Sequence, residues 1–279
     1  MRTTHYISIG VAISLIGAIF YLGNTKPPKK KEGTETAAAP MQHQANPISF
    51  DSLLSASKNT LPAHAQDEVK ISEEKIEKSG SNTEKSKAYN ELSKVWKEHQ
   101  QPMIAAYYLL EAAKLDNSEK SLTFAAQLFL GMAEKATDES VQAWEAQQAI
   151  EGFRKAIALN ANNEDAKVGL AQCLIGSGAT MEGVLTLRDV AEKNPNNITA
   201  NLILGQQGIV SGQLDKAAAR FEKVLHIDPK NLEALLGLAE VSKNKGNNAK
   251  AIELLEQAKK VMNNPEFSKD IDQYISTFK

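Results

Sequence analysis

The sequence predicts an all-α protein built as an array of helix–turn–helix repeats, and three observations carry that reading. Residues 198–231 and 232–265 are two blocks of 34 residues lying end to end. In the first, Leu204-Gly205 is followed by Gly212, Ala217, Phe221, Val224 and Asp228-Pro229; in the second, Leu238-Ala239 is followed by Gly246, Ala251, Leu255 and Ala258 at the same offsets. A constant period, small residues at the helix crossings and a turn glycine midway describe paired helices that bury a core only by stacking. The composition agrees: aromatics are only 6% of the chain, and Ala, Leu and Ile carry the apolar load, as close helix packing favours.

At the amino terminus, residues 6–22 are uncharged and apolar and would span about 26 Å as a helix, close to a hydrocarbon core of about 30 Å. Tyr6 and Tyr21 stand at its ends, where interfacial aromatics belong. Residues 1–25 therefore read as an N-terminal transmembrane anchor. A cleaved signal peptide is the competing reading, but the apolar stretch is long for one, and PPKKK comes after it where a small-x-small site would be needed. Lys26, Lys29, Lys30 and Lys31 after the segment would hold the repeats in the cytoplasm. A short amino tail before a single apolar segment instead exports the chain beyond it, and the extracytoplasmic side of a bacterial inner membrane is the expectation adopted. Gly10, Ser14 and Ala18 fall four apart, a stripe through which two such helices would approach as a homodimer.

Residues 26–46, rich in Pro, Gly, Thr, Ala and Gln, read as a flexible linker. Residues 47–85 hold flanking helices: one carries Phe50, Leu53 and Leu54 on one side, and a second offers Val69 and Ile76 to the first repeat. Gly80-Ser81-Asn82 breaks the chain before the repeats. Counting the period backwards places units at residues 86–119, 120–163, 164–197, 198–231 and 232–265. The second unit is 44 residues long, with the excess between Glu134 and Ala146. Asp138-Glu139 reads as a helix start, so the excess should lengthen that unit's second helix by more than two turns. Residues 266–279 place Phe267, Ile271, Tyr274, Ile275 and Phe278 on one helical face, the pattern of a terminal cap.

Charge and motifs exclude most chemistry. A net charge of −2 offers no basic excess for nucleic acid. The single cysteine, Cys173, rules out an intrachain disulfide and a cysteine-based zinc site, and its place among Leu170, Ala171 and Leu174 reads as core. The five histidines are scattered, and no phosphate loop, HExxH or GxSxG occurs. No catalytic residue, metal ligand or cofactor is expected, and the chain does not read as an enzyme.

On the residues Leu204-Gly205, Gly212, Ala217, Phe221, Val224 and Pro229 and their counterparts, the chain resembles the tetratricopeptide repeat family over residues 86–265. The resemblance implies a right-handed superhelix whose first helices line a concave groove that grips an extended peptide or a helix of a partner protein. The second, fifth, ninth and twelfth residues of each unit share one helical face. On that face the groove candidates are Val168, Gln172 and Ile175, then Leu202, Gln206 and Ile209, then Leu236, Glu240 and Lys243; packing against neighbouring helices is the competing role for the apolar ones. Asn90 and Lys94 occupy comparable places, but the later units offer Gln, Thr and Glu there, unlike the subtype that clamps acidic chaperone tails. The implied function is a membrane-tethered interaction scaffold, loosely of the kind that aids envelope assembly or export. A self-associating structural membrane protein without groove binding is the alternative.

Overall fold

The structure, a computed structural model, describes residues 48–278. The expected membrane anchor, its small-residue stripe and the whole linker lie within residues 1–47, outside the described residues. Among the described residues there are thirteen α-helices and no strand, and no helix is long and apolar enough to cross a membrane.

Helices α1 (Phe50–Thr60) and α2 (Ala63–Glu77) precede five pairs. These are α3 (Asn82–Glu98) with α4 (Pro102–Asp116), α5 (Glu119–Ala133) with α6 (Glu139–Leu159), and α7 (Glu164–Gly176) with α8 (Thr180–Lys193). The series continues with α9 (Ile198–Val210) and α10 (Leu214–Ile227), then α11 (Leu232–Asn244) and α12 (Asn248–Met262), before a final α13 (Pro265–Ser276).

Local chemistry sets the helix limits. Gly178, Gly212 and Gly246 turn the chain between paired helices at φ of 89°, 71° and 78°, a left-handed conformation that favours glycine. In the first pair Gln100 takes that place at φ 59°. Between pairs the device is an asparagine cap: Asn163, Asn197 and Asn231 accept from the backbone N–H of Ala166, Ala200 and Ala234 at 2.8, 2.9 and 3.0 Å. Each such cap contributes about 1 kcal/mol. Asn197 and Asn194 also donate to one carboxylate oxygen of Glu164, both at 2.8 Å, so the start of one repeat grips the start of the next. Helix α3 begins four residues ahead of Ser86, because Ser81 caps it by accepting from the Glu84 N–H at 3.2 Å. Asp138 caps α6 by accepting from Ser140 and Val141, and the inserted residues continue that helix to 21 residues.

The core runs as successive clusters from the flanking helices to the fourth pair. Val69 of α2 packs with Leu92, Trp96 and Ile104, and Phe50, Leu53, Leu54 and Ile76 lie partly buried against them. The Phe50 ring stacks on Tyr107 and faces Trp144 of the lengthened α6, which fastens α1 to two repeats. Leu110, Phe129, Phe153 and Leu170 form the next cluster, and Leu187, Val190 and Leu204 the one after it.

Repeat-to-repeat packing obeys a size rule. The aromatic Phe153 on α6 presses its ring where a Cβ on Gly169 of α7 would stand, and Phe221 on α10 does the same at Gly237 of α11. Where the equivalent second-helix residue is a leucine, the next first helix carries a large residue instead. Leu109 and Phe124 border one small cavity, with Phe124 55% exposed, and Leu187 packs with the partly buried Ile203. At the two phenylalanine junctions close packing leaves no room for a side chain on the facing first helix.

Candidate functional site

The first helices α3, α5, α7, α9 and α11 present one face in common, and the asparagine and serine caps set its register. Because Ser118 caps α5 as Asn163 caps α7, the face of α5 runs through Thr123, Gln127 and Leu130. Gln127, Gln172 and Gln206 thus occupy one equivalent place on three successive first helices. A primary amide offers both a donor and an acceptor, the pair an extended peptide backbone needs.

Two clefts open on this face. A small one of about 170 Å³ lies between α5 and α7 and is lined by Gln127, Leu130, Asp165, Val168 and Gln172, with Thr199 at its edge. The larger, about 640 Å³, is walled by the extra turns of α6. Leu130 and Glu134 from α5, Glu139, Gln142 and Ala146 from α6, and Gln172 and Ile175 from α7 line it, with Ile203 behind. Gln142 donates to the Ala133 carbonyl at 3.1 Å and holds the extension against α5. The cleft therefore combines apolar walls with amides and two exposed carboxylates.

The residues expected in the groove divide into three groups. Val168, Gln172 and Ile175 line these clefts. Val168, Leu202 and Leu236 are only 6–7% exposed, so their side chains serve mainly the packing between helices. Leu202, Gln206, Ile209 and Leu236 line neither cleft. Glu240 and Lys243 are already engaged within the chain: the Tyr274 hydroxyl of α13 donates to Glu240 at 2.8 Å and accepts from Lys243 at 3.0 Å. Both clefts thus lie at the second and third repeats, and Glu240 and Lys243 of the fifth lie under the last helix.

Sequence reading passed over Gln127, Leu130, Gln142 and Ala146. The ten-residue insertion was the available signal, together with the serine cap that shifts the second repeat by one residue.

The final helix buries Phe267, Ile271 and Tyr274 and leaves Ile275 half-buried, while Phe278, also half-buried, lies in the turn after the helix ends at Ser276. Burial, then the nearby Glu240 carboxylate, pushes the Tyr274 phenol far above its ordinary pKa, so it stays a neutral donor. Tyr274→Phe is expected to cost about 1 kcal/mol and to speed amide exchange in α13 while leaving α7 unchanged. Equal exchange in α13 would show that the hydroxyl contributes nothing to closure.

Cys173 borders the larger cleft but is 3% exposed, and burial pushes its thiol up to about 12. It remains protonated at neutral pH and acts as a small apolar residue. Among the described residues no group of three His, Cys, Asp or Glu side chains is placed to hold a metal ion.

Stacked helical pairs with a common first-helix face define the class of helical repeat proteins. A family model for the tetratricopeptide repeat matches residues 140–206 and 210–269, and the chain is a tetratricopeptide repeat protein. Comparison with curated proteins found no match. Among solved structures, a tetratricopeptide repeat protein from Parabacteroides merdae is 17% identical, with 69% of this chain and 74% of that one covered at a TM-score of 0.54. MamA from Desulfovibrio magneticus is 19% identical, covering 65% of this chain and 97% of that one at a TM-score of 0.52. PilW, described as a type IV pilus biogenesis factor, is 18% identical, covering 69% and 90% at a TM-score of 0.51. At such identities the likeness is one of fold.

Proposed function

We propose that this protein is a non-catalytic scaffold that holds an extended segment of a partner protein in the groove of its second and third repeats. The cleft of about 640 Å³ walled by α6 carries the reading, because an ordinary repeat lacks that wall. Its apolar lining suits alternate apolar anchors, Gln127 and Gln172 suit peptide backbone groups, and Glu134 and Glu139 favour a basic residue beside the anchors. Recognition of this kind needs no reactive group, in keeping with the inert thiol.

Membrane tethering belongs to the same proposal and rests on the composition of residues 6–22. The anchor would confine the scaffold, the linker would set its reach, and confinement would raise the effective concentration of weakly bound partners. Placement of the repeats outside the cytoplasm, with partners among envelope or exported proteins, is part of the same proposal. Homodimerisation through Gly10, Ser14 and Ala18 rests on their spacing.

Capture from detergent-solubilised cells tests the groove. Glu134→Lys and Gln172→Lys are expected to lower recovery of the bound partner about tenfold, a change of about 1.4 kcal/mol, with unchanged circular dichroism. Leu185→Ser, at an exposed site on α8 outside both clefts, should retain it. The same partner recovered equally by all variants would sink the groove assignment. Protease treatment of intact spheroplasts tests placement: a carboxyl-terminal tag should be lost, and a tag protected until permeabilisation would put the repeats in the cytoplasm.

A further inference from the structure

A second groove, independent of the concave clefts, runs between α8 and α10, with α9 as its floor. Its volume is about 730 Å³. The second helices of the third and fourth repeats form its walls, so it opens on the side of the array away from the first-helix face. Met181, 72% exposed, and the half-buried Val184 provide an apolar wall above Leu204. Arg188, Lys216, Arg220 and Lys223 line the remainder.

The charges in this groove are unbalanced. Among the described residues none of those four cations forms an ion pair: Arg220 donates to the Asn201 side-chain oxygen at 2.9 Å, and Lys216 to that of Gln213 at 2.8 Å. Three of the five acids on α8 and α10 are drawn elsewhere, and the other two, Glu192 and Glu222, do not line the groove. Glu182 pairs with Arg154 at 3.2 Å, Asp189 with Lys167 and Lys193 at 2.7 and 2.8 Å, and Asp215 with Lys245 at 2.6 Å. Asn201 is wholly buried and also donates to the Pro195 and Asn197 carbonyls, which fixes the Arg220 guanidinium at the groove without neutralising it. On a chain with a net charge of −2, a cluster of unmatched cations beside exposed apolar side chains is a local exception.

We infer that this groove binds an acidic amphipathic helix of a partner protein, its apolar face on Met181, Val184 and Leu204 and its carboxylates against Arg188, Lys216, Arg220 and Lys223. The stretch of α8 that walls the groove, Thr180–Arg188, spans about 12 Å at 1.5 Å per residue, enough to seat about two helical turns. Met181 suits such a surface because its unbranched thioether adapts to differing anchors. The apolar wall distinguishes this occupant from a nucleic acid, whose backbone would use the cations and leave Met181 and Val184 unmatched.

A fluorescent 16-residue helical peptide with leucines along one face and glutamates flanking them is the probe, titrated against the full chain in detergent. Binding should weaken at least tenfold in the double variant Arg188→Glu/Lys223→Glu and on replacing the probe's leucines with alanine. It should weaken as salt is raised and remain unchanged in Gln172→Lys, which alters only the concave cleft. Met181→Asp, at an exposed position that carries no packing, gives a second reading with the fold intact. Retention of probe affinity in both Arg188→Glu/Lys223→Glu and Met181→Asp would overturn the assignment. So would tighter binding of single-stranded DNA or anionic vesicles than of the peptide through the same cations.

Discussion

Replacing Gly237 with alanine should destabilise the array by about 2 kcal/mol, although the same change in most helices is favourable. Glycine inside a helix costs about 1 kcal/mol relative to alanine, so intrinsic propensity alone would favour the variant. Packing opposes it, because the Phe221 ring occupies the space of the new methyl group. The ring cannot retreat: it is 1% exposed, and on its other side a Cβ on Gly205 would lie only 2.7 Å from it. Overfilling of this kind typically costs about 1–3 kcal/mol and more when both walls are rigid. The size rule predicts its own rescue. Phe221→Leu alone should cost about 1–2 kcal/mol by leaving a void, yet in the Gly237→Ala background it should recover most of the loss. Urea unfolding of the parent, both single variants and the double variant measures the coupling directly. Additive losses, or a Gly237→Ala protein more stable than the parent, would show that the junctions do not select by size.

Replacing Glu145 with glutamine should stabilise the protein at pH 8 by roughly 2–3 kcal/mol and leave it nearly unchanged at pH 4. Glu145 lies on α6 with 3% exposure, and one of its carboxylate oxygens has no hydrogen-bond partner. Burial pushes its pKa from an ordinary 4.5 up to about 7. The folded state therefore binds the proton more tightly than the unfolded chain. Below pH 4.5 both states are protonated and the difference vanishes. Between about 4.5 and 7 the unfolded chain ionises first, so this residue's contribution to stability falls as pH rises, and the loss is complete above 7. The amide cannot ionise and removes that slope. Because all other titrating groups are shared, the difference between parent and variant unfolding free energies, followed from pH 4 to 8, isolates the effect. A difference that does not change with pH would mean that water reaches the carboxylate in the folded state.

The two results concern different links between sequence and fold. The turn glycines Gly178, Gly212 and Gly246, the asparagine caps and the apolar spacing are local features repeated at a constant interval. Each is legible because its cause lies within a few residues of chain. The long α6 was legible for the same reason, since Asp138 announces its start. The Phe153–Gly169 and Phe221–Gly237 contacts were not, because each joins residues of successive repeats and becomes a rule only when the junctions are compared.

The candidate site shows the same division. Gln172 and Ile175 can be read from helical periodicity, and they do line the larger cleft. The same periodicity could not tell that Val168, Leu202 and Leu236 would be covered, because a helix in a stacked array buries more than one face. Nor could it place Tyr274 between Glu240 and Lys243, a contact made only once α13 folds back over the fifth repeat.

By itself, the sequence determined the all-helical class, the period of the helical pairs and the glycines that turn between them, since these depend on dihedral preference and spacing along one strand of chain. Only the tertiary structure decided which faces stay open. Exposure depends on the distance between helices that the chain does not join directly: the wall that α6 adds to the concave cleft, and the gap between α8 and α10 that leaves four cations unmatched.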